Sequence, residues 1–150
     1  MALEGGCRCG AVRYTLAVDE LPPAYACHCH QCQRWSGSAF SLNMLVPESV
    51  LTLDGPVITF EKVTADSAGE RTSTQRFCET CHTRLFNTNT RRPGIAVVRA
   101  GTLDRSEELR CVGHIFTANR QRWLAVPEDV PSWPEAPPMA EFMALFQPPA

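Results

Sequence analysis

Apolar and polar residues alternate along most of this chain. Val12, Tyr14, Leu16 and Val18 are separated by Arg13, Thr15 and Ala17, the period-two pattern of a strand with one buried face. From Ala39 the alternation returns: Phe40, Leu42, Met44 and Val46 make one apolar face, and Pro47 closes it. "VLTLDG", "VITFEK", "TSTQRF" and "RLFNTN" follow as short β-like runs between turn signals, and "IAVVRAGTLD" and "HIFTANRQRWLAV" continue the pattern with β-branched and aromatic residues. No helical apolar stripe exceeds about three turns. The pattern predicts a mostly β chain, a small barrel or sandwich of short antiparallel strands.

The breaks in the alternation carry information of their own. "LPPAY" interrupts with two prolines, and "CQRWSG" reads as a single helical turn stopped by Gly37. "VTADSAGER" is polar and contains glycine, which predicts a mobile loop, and the proline-rich "VPEDVPSWPEAPP" predicts an extended wrap or linker. Beyond it, Met139, Phe142, Met143, Leu145 and Phe146 stand at near-helical spacing, enough for about two turns. The expectation is a terminal helix docked on its own domain, with a homodimer contact or a partner-binding helix as the alternative. The chain thus divides into a domain over residues 1–134 and a Pro-rich tail with a short amphipathic helix over 135–150.

Composition narrows the classes of function. A chain of 150 residues can bury a working core without staples. Its 14 Lys and Arg against 16 Asp and Glu leave a formal charge of −2, so there is no basic surface of the kind that draws proteins to nucleic acid. The opening "MALEGGCRCG" has no charged and apolar leader pattern, and no stretch reaches the roughly 18 apolar residues of a membrane span. The reading is a cytoplasmic protein with no membrane partner. In that reducing setting, closely spaced cysteines point to metal or redox chemistry rather than to disulfides.

Seven of the eight cysteines fall into three such spacings. Cys7 and Cys9 are two apart, so an extended backbone sends both thiols to one face. Cys78 and Cys81 have the spacing of a zinc knuckle, in which a tight turn aims two thiolates at one ion. Together the two pairs make a full tetrahedron, a clamp between segments about 70 residues apart that suits folding rather than chemistry. The residue after Cys81 is His82, where a knuckle turn tends toward positive φ and favours glycine; histidine tolerates that region better than most.

"CHCHQC" offers five ligands in six residues. Strand alternation converges the sulfurs of Cys27 and Cys29, a following turn adds Cys32, and His28 and His30 are sent to the other face. Three protein ligands and one open position define catalytic zinc. Against this, His30 or Cys111 could close the sphere as an inert second clamp, and an iron–sulfur or redox site is a third reading. Arg34 reads as a substrate-carboxylate anchor or as a surface arginine, Ser36 as a local backbone cap, His114 as a satisfied core histidine, and Cys111 as a small buried hydrophobe.

"GGCRCGAVRYTL", "CHCHQCQRWSGSAF", "RFCETCHTRLF", "AGTLD" and "HIFTANRQRWLAV", in this order, resemble the glutathione-dependent formaldehyde-activating family over about Leu3 to Pro134. The resemblance implies an Mss4-like fold, related also to centromere protein V, with two zinc ions per chain. It implies that Cys7, Cys9, Cys78 and Cys81 hold a structural zinc, and that Cys27, Cys29 and Cys32 hold a catalytic one. It further implies a carbon–sulfur lyase acting on a thiol–aldehyde adduct, with glutathione and formaldehyde as the named small-molecule partners. This chain departs from the family pattern at His82, at His30 beside the open site, and at Cys111 where proline is expected. The competing expectation, from a different class, is a non-catalytic zinc-stabilised module that recruits a partner through its Met- and Phe-rich terminal segment.

Overall fold

The computed structural model describes residues 2–147. In chain order its elements are β1 (Leu3–Gly6), β2 (Arg13–Leu16), β3 (Ala24–Cys27), α1 (His30–Ser36), β4 (Ser41–Pro47), β5 (Leu51–Asp54), β6 (Val57–Asp66), β7 (Gly69–Cys78), β8 (Arg84–Asn89), β9 (Arg92–Arg99), β10 (Cys111–Ile115) and α2 (Met139–Ala144), with short 3-10 turns between some of them. Strand accounts for 44% of the residues and helix for 17%, which makes the chain mostly β as its alternation predicts. Among the described residues no ladder closes into a barrel, so of the two expected forms the sandwich-like one is found. The fold divides into two compact units, one formed by Met1–Leu21 with Leu45–Glu108 and the other by Pro22–Met44 with Leu109–Ala150.

In the first unit, β2 lies between β1 and β5 in an antiparallel sheet. Its alternation does what the sequence requires: Val12 and Leu16 are 0% exposed and Tyr14 2%. Gly5 stands opposite Tyr14, and a Cβ there would lie 2.4 Å from the Tyr14 hydroxyl oxygen, so only glycine lets that ring pass. The Tyr14 hydroxyl pairs with Thr102 Oγ1 at 2.8 Å, and Thr102 Oγ1 donates onward to the Arg99 carbonyl. Arg13 donates to the two Asp104 carboxylate oxygens through its two terminal guanidinium nitrogens.

Strands β6 to β9 form an antiparallel run in the same unit. The expected mobile loop at "VTADSAGER" is instead paired strand, with Asp66 opposite Gly69 across a two-residue turn. Local chemistry explains the difference. Asp66 accepts the Ala68 N–H at 2.8 Å and two bonds from the Arg91 guanidinium, which also donates to the Gly69 carbonyl. A polar sequence can therefore be a strand when its polar groups clamp their own turn.

In the second unit, β3 pairs with β4 antiparallel and with β10 parallel. All four β3 residues are buried, as expected of a strand with neighbours on both sides and small alanines on its faces. Residues 41–44 of β4 differ from the one-sided pattern expected, because Ser41 and Asn43 are each 3% exposed alongside Met44. These two satisfy one another, Ser41 Oγ to Asn43 Oδ1 at 2.9 Å and Asn43 Nδ2 to the Ser41 carbonyl at 3.2 Å, which is what allows polar groups on a covered face.

The strand expected through "HIFTANRQRWLAV" stops at Ile115. Phe116 takes φ 57 and the chain turns into a 3-10 turn at Thr117–Asn119, so aromatic and β-branched content misled there. The proline-rich stretch is the extended wrap expected: Trp133 donates to the His114 carbonyl, and His114 donates to the Pro131 carbonyl. α2 docks on its own unit, with Phe142 4% exposed and its ring edge-on to Tyr25 at 4.9 Å.

Candidate metal centres

The first unit gathers four sulfurs. Cys7 follows β1 directly, and a turn closed by Gly10 N–H to the Cys7 carbonyl, with Gly10 at φ 82, brings Cys9 round. On the other side β7 ends at Cys78, where Cys81 N–H points at the Cys78 sulfur and His82 N–H bonds the Cys78 carbonyl. His82 takes φ 61, the left-handed backbone that the knuckle demands. Sulfur separations are 3.5 Å for Cys7 to Cys9 and 3.8 Å for Cys9 to Cys78. Four thiolates at about 2.3 Å from a tetrahedral zinc stand about 3.8 Å apart, so this donor set fits the ion.

Hydrogen bonds from Thr83 favour the thiolate at one of these four sulfurs. The Cys81 thiol is drawn down to about 5, first by the Thr83 hydroxyl and then by the Thr83 backbone N–H. The Thr83 hydroxyl lies 3.1 Å from the Cys81 sulfur and also accepts Arg8 N–H, which ties the Cys7–Cys9 turn to the knuckle. Val12 N–H adds a bond to the Cys7 sulfur at 3.3 Å.

The second unit gathers three. Cys27 is the last residue of β3, Cys29 caps α1, and Cys32 lies in its first turn. Cys29 has extended backbone, φ −63 and ψ 152, and its sulfur accepts the Cys32 N–H at 3.4 Å; the capping role that serine or aspartate usually fills is taken by a ligand. α1 ends as the sequence predicts, with Gly37 left-handed at φ 64. The sulfurs of Cys27, Cys29 and Cys32 lie within 4.8 Å of one another. Cys27 is buried, whereas Cys29 and Cys32 are half-buried, so the cluster has a covered side and an open one.

Crowding three sulfurs sets their charges apart. The Cys29 thiol is drawn down to about 2, first by its bond with Cys27 and then by that with Cys32, and the same Cys27–Cys29 bond pushes Cys27 far above the usual thiol range. The crowding favours a charged Cys29 beside a neutral Cys27, and a divalent cation held among the three would compensate such charge.

Among the described residues, neither His30 nor Cys111 belongs to either group of sulfurs that could hold an ion. Cys111 instead lies 3.7 Å from His114 Nε2. His28 is turned inward, 0% exposed, and bonds His114, as alternation about Cys27 and Cys29 requires. Ser36 Oγ bonds the Gln33 and Phe40 carbonyls and is a local cap. Arg34 is exposed beside a hollow of about 430 Å³ lined also by Gln33, Gly37, Ser38, Ala39 and Gln121.

Two features escaped the sequence. Gln33 Nε2 donates both to the His28 carbonyl at 2.7 Å and to the Asn119 carbonyl at 2.9 Å, which staples the three-cysteine loop to the turn after β10. The His28–His114 bond joins residues 86 apart, and its only trace in the sequence is the inward phase of His28.

Fold and sites define a small, mostly β protein with two cysteine clusters, one of four sulfurs and one of three, each able to hold a metal ion such as zinc. The profile of the family described as "Glutathione-dependent formaldehyde-activating enzyme" matches residues 2–119, and the chain belongs to that family. A Halomonas elongata protein described as a "putative glutathione-dependent formaldehyde-activating enzyme" is 27% identical over 135 residues, covering 84% of this chain and 82% of its own. The crystal structure of a Rhodobacter sphaeroides protein superposes with a TM-score of 0.54 at 17% identity, covering 87% of this chain and all of that one, a likeness of fold.

Proposed function

We propose that the chain is a zinc-dependent enzyme of the carbon–sulfur lyase type that makes or breaks a thiol–aldehyde adduct, with S-hydroxymethylglutathione formed from glutathione and formaldehyde as its reaction. The observation that carries this reading is the contrast between the clusters: four sulfurs complete a coordination sphere in one unit, and three leave it incomplete in the other. On this reading Cys7, Cys9, Cys78 and Cys81 hold a structural zinc and Cys27, Cys29 and Cys32 hold the catalytic one, all within a domain over 1–134 followed by a tail over 135–150.

A zinc ion held by Cys27, Cys29 and Cys32 would make a bound thiol give up its proton more readily. Three thiolates leave the site a net charge of about −1, which weakens its pull on a carbonyl oxygen and favours the thiol as the group it serves. In the addition, the thiol sulfur forms a bond to the aldehyde carbon, the carbon–oxygen double bond becomes single, and the oxygen takes up the proton the thiol released. The chain's own contribution is placement: Cys27 is fixed by β3, Cys29 and Cys32 by the α1 cap, and the loop between them by Gln33. Among the described residues no disulfide joins the cysteines, which suits a cytoplasmic enzyme.

The other reading, a binding module working through its terminal segment, loses support because Phe142 is buried against Tyr25. Two substitutions test the proposal. Cys32→Ser should keep the fold and lower thiol–aldehyde turnover by about 100-fold or more, whereas Cys78→Ser should unfold the chain or lower its melting temperature sharply. Full activity in Cys32→Ser would refute the catalytic assignment.

A further inference from the structure

His28 lies between two cysteines of the three-sulfur cluster and takes no part in it. Three separate groups hold it in place. Its N–H donates to the Ile115 carbonyl at 3.0 Å, extending the β3–β10 pairing by one residue; its carbonyl accepts Gln33 Nε2 at 2.7 Å; and its ring Nε2 lies 2.9 Å from His114 Nδ1. The two imidazole planes lie 25° apart with centroids at 5.2 Å, the edge-to-edge placement of a ring-to-ring hydrogen bond, and Phe40 covers His28 at 5.3 Å.

The direction of the bonds follows from the far end. The Cys111 S–H donates to the Gly113 carbonyl at 3.4 Å, which leaves the sulfur to accept from His114 Nε2–H at 3.7 Å. His114 is then the Nε2–H tautomer with a lone pair on Nδ1, and that lone pair accepts His28 Nε2–H. His28 Nδ1 carries a lone pair and has no partner among the described residues.

The consequence falls on the neighbouring sulfurs. With the His28 ring pinned to one face, the extended backbone on either side sends Cys27 and Cys29 to the opposite face, toward Cys32. We propose that His28 and His114 are positioning residues for the three-cysteine metal site, their Nε2–H to Nδ1 bond locking the junction of β3 and α1 so that three sulfurs converge on one ion. The proposal rests on the reading of Cys27, Cys29 and Cys32 as a metal site.

The test uses the full chain and both of its metal sites, the four-cysteine site serving as an internal standard for folding. Zinc affinities of the two sites are measured by chelator competition, and the sulfur-to-metal absorption of the cobalt-substituted protein is recorded. In His114→Asn the side-chain amide reaches the place of Nδ1 and can still accept from His28; in His114→Gln it reaches the place of Nε2 and cannot. We expect His114→Asn to hold the ratio of second-site to first-site affinity near that of the wild type. His114→Gln should lower it by about 10- to 100-fold and alter the cobalt spectrum of the second site alone. An unchanged ratio in His114→Gln, or an equal fall in both variants, overturns the proposal. If His114→Gln gives no folded chain, Cys111→Ala at its half-buried position takes its place, and an unchanged ratio there overturns the proposal. A wild-type chain that binds one zinc only overturns the metal reading itself, and the proposal with it.

Discussion

Tyr14 shows how one side chain joins sequence pattern to chemistry. Its position in the alternation buries it, and burial pushes its phenol up to about 12, with the contact to the Thr102 hydroxyl a smaller opposing effect. Because the folded value lies above the usual one of about 10, the folded state holds the proton more tightly than the unfolded chain. The linked stability is therefore present below about pH 10 and is lost as pH rises through about 12. Absorbance titration of the intact chain should show a tyrosine ionising near 12; full ionisation of both tyrosines near 10 would contradict the packing. The burial of Tyr14 was legible from its neighbours. Its partner Thr102 was not, because 88 residues separate them and nothing local marks a hydroxyl that finds its mate across the fold.

Elements were legible where their signals were local. The α1 stop, the β2 alternation and the knuckle turn each depend on residues within about one turn of one another, and each appears where the sequence places it. The hairpin of β6 and β7 was misread because its turn is clamped by Arg91, contributed by the turn between β8 and β9. The Ser41 and Asn43 pair was misread because a strand covered on both faces needs neighbours that the strand itself does not announce. α2 makes the strongest claim at this scale. Its six residues are too few to be stable alone, so it depends on Phe142 against Tyr25 and on Leu145 near Gly113. Phe142→Ala should cost about 3 kcal/mol or more of unfolding free energy, read by denaturant titration. A loss below about 0.5 kcal/mol would mean that the terminal segment is not docked.

At the scale of the whole chain, the cysteines were the most legible feature, because metal ligation imposes spacings of two and three residues that survive any arrangement of the strands between them. What spacing could not decide was the fourth position of the second site, a question of which distant side chain arrives. The fold answers by sending Cys111 to His114 and leaving His30 outside the cluster. The central claim is that one metal site is complete and the other open to a thiol. Its most direct test is metal analysis of the full chain, joined to X-ray absorption at the zinc edge with and without saturating glutathione. The account predicts two zinc ions per chain and a rise in mean sulfur coordination from about 3.5 to about 4 on adding glutathione, by four and three sulfurs becoming four and four. A single zinc, or a sulfur count that glutathione leaves unchanged, would contradict it.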